Sequence, residues 1–262
     1  MNQALLPRHL KFRPLVASLA LAAMACAQAQ STLPTGMQVA AGQASAQTQG
    51  NVLTVTNSAN AILNWQSFSI GAQNSVRFVQ PSASSQVLNR VTGNDPSAIL
   101  GRLSSNGRVW LLNPNGVMFG QGARVDVAGL VASTLNIANE DWLAGRYALA
   151  GNGATPAGIV NQGELRTSLG GRVALVGGSV ENQGLIEAPG GQVLLAAGRS
   201  IELVDTGAPN LAVRITAPQG DVLNLGTLSA PGGRIDVHGA AVNQQGLVRS
   251  GCRGSARRPG AP

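Results

Sequence analysis

Asp236 and His238 are the two residues whose types and spacing come closest to proton-transfer chemistry. On an extended Asp236-Val237-His238 segment both side chains point the same way, so a carboxylate and an imidazole could act as an acid/base pair on a glycan. Glycan-cleaving sites need clustered carboxylates, however, and no second one accompanies this pair. A solvated strand face is therefore the favoured reading. Glu140-Asp141 reads as the acidic first turn of a helix, and Asp95-Pro96 as a turn. Of the two cysteines, Cys26 lies in the amino-terminal leader and only Cys252 follows it, which excludes an intramolecular disulfide and a cysteine-based metal site. No nucleophile with its base, phosphate loop or metal cluster is present. The expectation is a protein that is not an enzyme and carries no cofactor.

A second constellation is conformational. Asn113, Pro114, Asn115 and Gly116 separate the apolar runs Val109 to Leu112 and Val117 to Phe119. Pro114 fixes φ for the second turn position, the Asn113 side chain can accept a backbone N–H, and Asn115 and Gly116 tolerate the left-handed region. Strand, tight turn and strand follow from this chemistry.

The two ends differ from the body. Arg8, Lys11 and Arg13 precede the apolar run Leu15 to Ala25, and small residues follow at Ala25, Ala27 and Ala29. This is the pattern of a secretory signal peptide over residues 1–29, with Gln30 the first mature residue. Cys26 admits a lipoprotein leader, but Ala23 stands where such a signal prefers Leu. The net charge of +7 is concentrated at the termini. Between Gln30 and Val248, eleven arginines balance eleven acidic residues, so a phosphate-tracking stripe is not supported. Residues 249–262, rich in Gly, Arg and Pro, read as a disordered basic tail.

Downstream of Gly158 the chain repeats. Ile159-Val160-Asn161-Gln162-Gly163 recurs at Val180 to Gly184, Val222 to Gly226 and Val242 to Gly246, and the final glycines are 21, 42 and 20 residues apart. Gly170-Gly171-Arg172-Val173 recurs at Gly190 to Val193 and Gly232 to Ile235. The double spacing implies one degenerate copy near Leu203 to Thr216. Apolar runs of three to five residues between Gly, Asn and Pro are too short for a helical solenoid. The expected fold is all-β: a right-handed parallel β-helix of about 20–21 residues per coil, with ten to eleven coils stacked ~4.8 Å apart. Val173, Leu175, Val193, Leu195, Ile235 and Val237 should fill the bore, and Asn161, Asn182, Asn224 and Asn243 could stack as a ladder or act simply as turn formers. Residues 33–79, with strands near Val52 to Thr56, Ile62 to Trp65 and Val76 to Val79, are expected to cap the first coil. A short helix is expected at Glu140 to Ala144, capped by Asn139.

From Thr35 to Tyr147 the chain resembles the amino-terminal secretion domain of filamentous haemagglutinin-like exoproteins, the TpsA proteins of two-partner secretion. The match is to the branch with high-molecular-weight adhesins and haem-haemopexin-binding proteins. The blocks that carry it are NWQSFSIG (Asn64 to Gly71), VRFVQPSASSQVLNRVTG (Val76 to Gly93), ILGRL (Ile99 to Leu103), LLNPNGVMFG (Leu111 to Gly120) and GLVASTLNI (Gly129 to Ile137). The second, NPNL-type motif of the filamentous haemagglutinin branch is absent. The resemblance implies a secretion domain over residues 30–147, followed by further coils over 148–248. It implies recognition by the periplasmic soluble domains of a TpsB outer-membrane transporter, folding outside the cell, and a role for Asn113 to Gly116 in secretion. An adhesive or ligand-binding β-helix, and a carbohydrate-active one, are the alternatives, with Arg172 and Arg234 hinting at a binding face.

Overall fold

A computed structural model describes residues 32–151, 156–205 and 211–251. They belong to one compact unit and wind as a parallel β-helix with three faces. One coil shows the plan. The strand Gly158–Asn161 lies on the first face, Glu164–Thr167 on the second and Arg172–Gly177 on the third, and Ser179–Asn182 then returns to the first. We call these the asparagine, charged and broad faces. Equivalent strands pair in parallel register from coil to coil, as Ile159 with Val180 and Leu165 with Ile186 do.

Side-chain alternation explains two of the faces. Arg124–Val127 on the charged face points Val125 and Val127 into the bore and leaves Arg124 and Asp126 outside, the period-2 pattern of a half-buried strand. The bore residues expected from the repeats are in place: Val173, Leu175, Val193 and Leu195 are fully buried, and Ile235 and Val237 pack against the same cluster.

The broad face breaks that alternation because it is covered on both sides. In Arg108–Leu112, Val109 and Leu111 face the bore, while Trp110 and Leu112 enter a second apolar cluster on the outside. That outer layer comes from Leu135 and Ile137, from Trp142 of the helix Asn139–Leu143 and Leu149 of the strand Tyr147–Ala150, and from Ile201 and Leu203 of the long strand Gln192–Asp205. Trp110 meets Trp142 edge-on at 5.2 Å, an arrangement worth about 0.5–1.5 kcal/mol beyond its area. The Trp142 indole N–H donates to the Asn60 carbonyl at 3.0 Å, and Gln86 donates to the Tyr147 hydroxyl at 2.8 Å. The polar groups of Trp142 and Tyr147 are thereby satisfied.

The repeat glycines divide their work. Gly170, Gly190 and Gly232 turn the chain at φ of +76°, +60° and +73°, the left-handed region that favours glycine. Their followers Gly171, Gly191 and Gly233 have a different reason: a Cβ on each would overlap the carbonyl oxygen of Ala128, Gly171 and Gly191 in the coil beneath.

On the asparagine face, Asn161 donates to Asn182 at 2.7 Å, Asn182 to Asn224 at 2.7 Å, and Asn224 to Gln244 at 3.0 Å. The amides do form a ladder, but its last member is Gln244, because the register pairs Asn224 with Gln244 and puts Asn243 beside Leu223. Asn182 is fully buried between two rungs. Replacing it with Ala should strip the Asn161 amide of its 2.7 Å acceptor and the Asn224 oxygen of its donor, and lower the unfolding free energy by about 2 kcal/mol, measurable by urea titration.

Other expectations change. The 42-residue spacing is not a degenerate coil: Leu185 pairs directly with Thr227 and Val180 with Val222. From Gly198 onward the strand Gln192–Asp205 instead pairs antiparallel with Leu211–Pro218, a hairpin that leaves the stack, while its first half stays as a rung. The charged face has nine strands, of which Ala44–Gln49 is antiparallel. The described residues therefore make eight parallel rungs rather than ten or eleven, since Asn139–Leu143, Tyr147–Ala150 and the hairpin strands from Gly198 to Pro218 lie outside the coil. The cap is also narrower. Gln38–Ala41 and Ala44–Gln49 run antiparallel over the first rungs, whereas Val52–Asn57, Ala61–Trp65 and Ser75–Val79 are parallel rungs themselves. The strand Leu247–Arg249 extends order to Arg249. The signal peptide, both cysteines and the remaining tail lie outside the described residues.

Candidate functional site

Asn113 to Gly116 form the corner between the broad-face strand Arg108–Leu112 and the asparagine-face strand Val117–Phe119. Gly116 N–H donates to the Asn113 carbonyl at 3.1 Å and closes the turn. The Asn113 side chain accepts the Asn115 N–H at 3.0 Å, as the sequence predicts. Only Gly116 takes a positive φ, +119°, so Asn115 does not use its tolerance for the left-handed region.

The same side chains reach backwards. Asn113 is fully buried, and its amide donates to the Asp95 carbonyl at 2.9 Å and the Ser97 hydroxyl at 3.0 Å. Asn115, exposed at the corner, donates to the Gly93 carbonyl at 2.9 Å. Ser97 N–H donates to the Gly116 carbonyl at 3.0 Å, and Asn113 N–H reaches forward to the Ser133 carbonyl at 2.9 Å. The four residues thus clamp the loop 93–97 of the preceding coil and engage the coil that follows.

Arg90 carries a second clamp that pattern reading missed. Its guanidinium donates to Asn136 Oδ1 at 2.9 Å, Asn139 Oδ1 at 2.9 Å and the Ile137 carbonyl at 2.7 Å. Burial lowers its pKa from the ordinary arginine value, and these uncharged oxygens offset the lost hydration. Arg90 consequently fastens residues 136–139 over the second broad-face rung. It also explains why Asn139 does not cap the helix: the helix begins at Asn139, Ala138 stands at its N-cap without a side-chain bond, and the Asn139 oxygen is taken by Arg90. Nothing local in the sequence announces an interaction that spans 49 residues.

The acid/base candidates are differently occupied. The Asp236 carboxylate accepts from Gln192 at 2.6 Å and from Arg234 at 2.6 Å, and His238 sits two residues along the same strand. Arg172 and Arg234 are not neighbours, since Gln192 lies between them in the register. Among the described residues no cluster of three or more His, Cys, Asp or Glu could hold a metal ion.

A parallel β-helix with antiparallel strands laid over its first rungs defines the structural class. The chain belongs to the TPS secretion domain family, which it matches over residues 27–251. It is 45% identical over 106 residues to a heme/hemopexin-binding protein of Haemophilus influenzae, covering 40% of this chain and 12% of that one. A second heme/hemopexin-binding protein of that species is 47% identical over 77 residues, covering 29% and 8%. The chain therefore spans only about an eighth or less of these relatives. Among solved structures, the HMW1 secretion domain from Haemophilus influenzae superposes with a TM-score of 0.77 at 40% identity, covering 80% of this chain and 57% of that one. The chain is thus the secretion domain of a TpsA-type exoprotein, a class exported through a TpsB-type outer-membrane transporter.

Proposed function

We propose that this domain is recognised by the periplasmic soluble domains of its transporter, crosses the outer membrane unfolded, and starts the extracellular β-helix for an adhesive or ligand-binding exoprotein. The observation that carries this reading is the Asn113 to Gly116 corner, whose side chains bond a loop already passed and whose Asn113 backbone N–H bonds a strand still to come. Such a corner works as a template for the first coils rather than as a contact surface, because Asn113 and Gly116 are buried. We assign no catalytic role to the domain. Asp236 is engaged by Gln192 and Arg234, and no second carboxylate neighbours it on the register, where Leu194 stands opposite.

Secretion tests the reading. The full chain, expressed with a cognate TpsB transporter, should be recovered from the medium, and omission of the transporter should leave it in the periplasm. Asn115→Ala, which removes the bond to Gly93, should reduce secretion several-fold. Transporter-dependent export unchanged by Asn115→Ala and by Asn113→Ala would remove the corner from the mechanism. Retention of the native chain despite the transporter would overturn the export role itself.

A further inference from the structure

We propose that Asn115–Gly116 and Asn106–Gly107 are deamidation sites that the unfolded chain exposes and the folded β-helix locks, so that a chain held unfolded progressively loses the ability to fold. An Asn followed by Gly is the dipeptide most open to this reaction, because no side chain on the second residue hinders the backbone nitrogen. In the step, the Gly116 nitrogen loses its proton to solvent base and attacks Asn115 Cγ. The N–Cγ bond forms, the Cγ–Nδ2 bond breaks, and the side-chain nitrogen takes up a proton and leaves as ammonia. Water then opens the cyclic imide to aspartate or to isoaspartate, in which the main chain runs through Cγ. Asn113 is exempt, since Pro114 has no N–H to supply the nucleophile.

Folding occupies each group that reacts. At the first site the Gly116 N–H is held by the Asn113 carbonyl at 3.1 Å. The Asn115 amide nitrogen donates to the Gly93 carbonyl at 2.9 Å and to Asn113 Oδ1 at 3.3 Å. At the second site the Gly107 N–H donates to the Ser105 hydroxyl at 3.0 Å. The Asn106 amide is pinned on both ends, accepting from Gln80 N–H at 2.8 Å and donating to the Gln80 carbonyl at 2.7 Å. Ring closure needs the side chain to swing onto its own following nitrogen, and both amides are instead tied to the preceding coil.

The products would not fit back. A carboxylate at 115 would face the Gly93 carbonyl with no proton to donate, and one at 106 would face the Gln80 carbonyl. Isoaspartate would lengthen the main chain at corners that bracket the strand Arg108–Leu112. A chain delayed before folding would lose the ability to seal its first coils. That consequence rests on the export reading, whereas the chemistry does not.

The experiment uses the purified full chain without any transporter. It is kept at mildly alkaline pH, folded in buffer and in parallel unfolded in urea, and conversion at each Asn–Gly step is followed by peptide mapping with isoaspartate detection. In urea, Asn106 and Asn115 should convert at the pace of Asn152–Gly153, a third such step outside the described residues. In the folded chain both should slow by about tenfold or more, because reaction must wait for local opening. After dilution from urea, molecules carrying Asp or isoaspartate at 115 should be depleted from the refolded fraction, and Asn115→Asp should refold as poorly. Equal conversion in folded and unfolded chains, or full refolding of the converted molecules, would overturn the proposal. Either result leaves the secretion assay standing, and failure of that assay leaves this chemistry intact.

Discussion

Asn113→Asp should lower the unfolding free energy by about 3–5 kcal/mol. The side chain is fully buried and gives both its amide hydrogens away, to the Asp95 carbonyl and the Ser97 hydroxyl. A carboxylate of the same shape would have nothing to donate and would turn a negative charge towards the Asp95 carbonyl. Among the described residues, no cation is bonded at that position to neutralise it. Asn113→Ala should cost less, about 2–3 kcal/mol, since it strands the Asp95 and Ser97 groups without adding charge. Urea unfolding followed by far-UV circular dichroism would rank the two. Equal midpoints for Asn113→Asp and the native chain would show that the corner is open to water and the clamp incidental.

Gly191→Ala should prevent the native stack or destabilise it by more than about 4 kcal/mol. The reason is contact rather than dihedral angle: a methyl group there would overlap the Gly171 carbonyl oxygen, which is backbone and cannot rotate aside. That carbonyl also receives the Gln192 N–H at 3.1 Å, so the two rungs cannot separate without losing a ladder bond. Gly170→Ala is the matched control. A Cβ at Gly170 meets nothing within 4 Å, and only its φ of +76° opposes the change, at about 1–2 kcal/mol. If the two substitutions shifted the thermal midpoint equally, the tight column of glycines would not be the element that sets coil spacing.

Those two sites show what a pattern reader can and cannot extract. The bore was legible because Val125 and Val127 alternate with Arg124 and Asp126, and a period of 2 has one physical cause. The coil was legible from the 21 residues between Gly163 and Gly184 and the 20 between Gly226 and Gly246. The doubled interval before Gly226 was not, since an inserted hairpin and a missing coil add the same number of residues. Val213 and Ile215 alternate as rung residues would, which made the hairpin pass for a coil. The outer apolar layer did leave a signal: four consecutive apolar residues, Val109 to Leu112, are too many for a strand buried on one side. The turn at Asn113 to Gly116 followed from local chemistry, but its bonds to Gly93, Asp95 and Ser97 are set by the register of a neighbouring coil. Arg90 was invisible for the same reason. The ladder position of Gln244 was present in the alignment of the repeats, where it occupies the column of Asn161, Asn182 and Asn224.

The direction of that ladder has a kinetic meaning. Asn161, Asn182 and Asn224 each donate towards the coil that comes later in the chain. A stack that stopped after Asn161 or after Asn182 would end in a bare N–H inside a dry wall, and the arrival of the next coil is what supplies the acceptor. Chained amides also polarise one another, so each addition strengthens the bonds already made. Growth is therefore vectorial: order added at the carboxy-terminal end is rewarded immediately, while melting back from it re-exposes a donor at every step. The column behaves as a ratchet, biasing the rod to assemble from its first coil to its last.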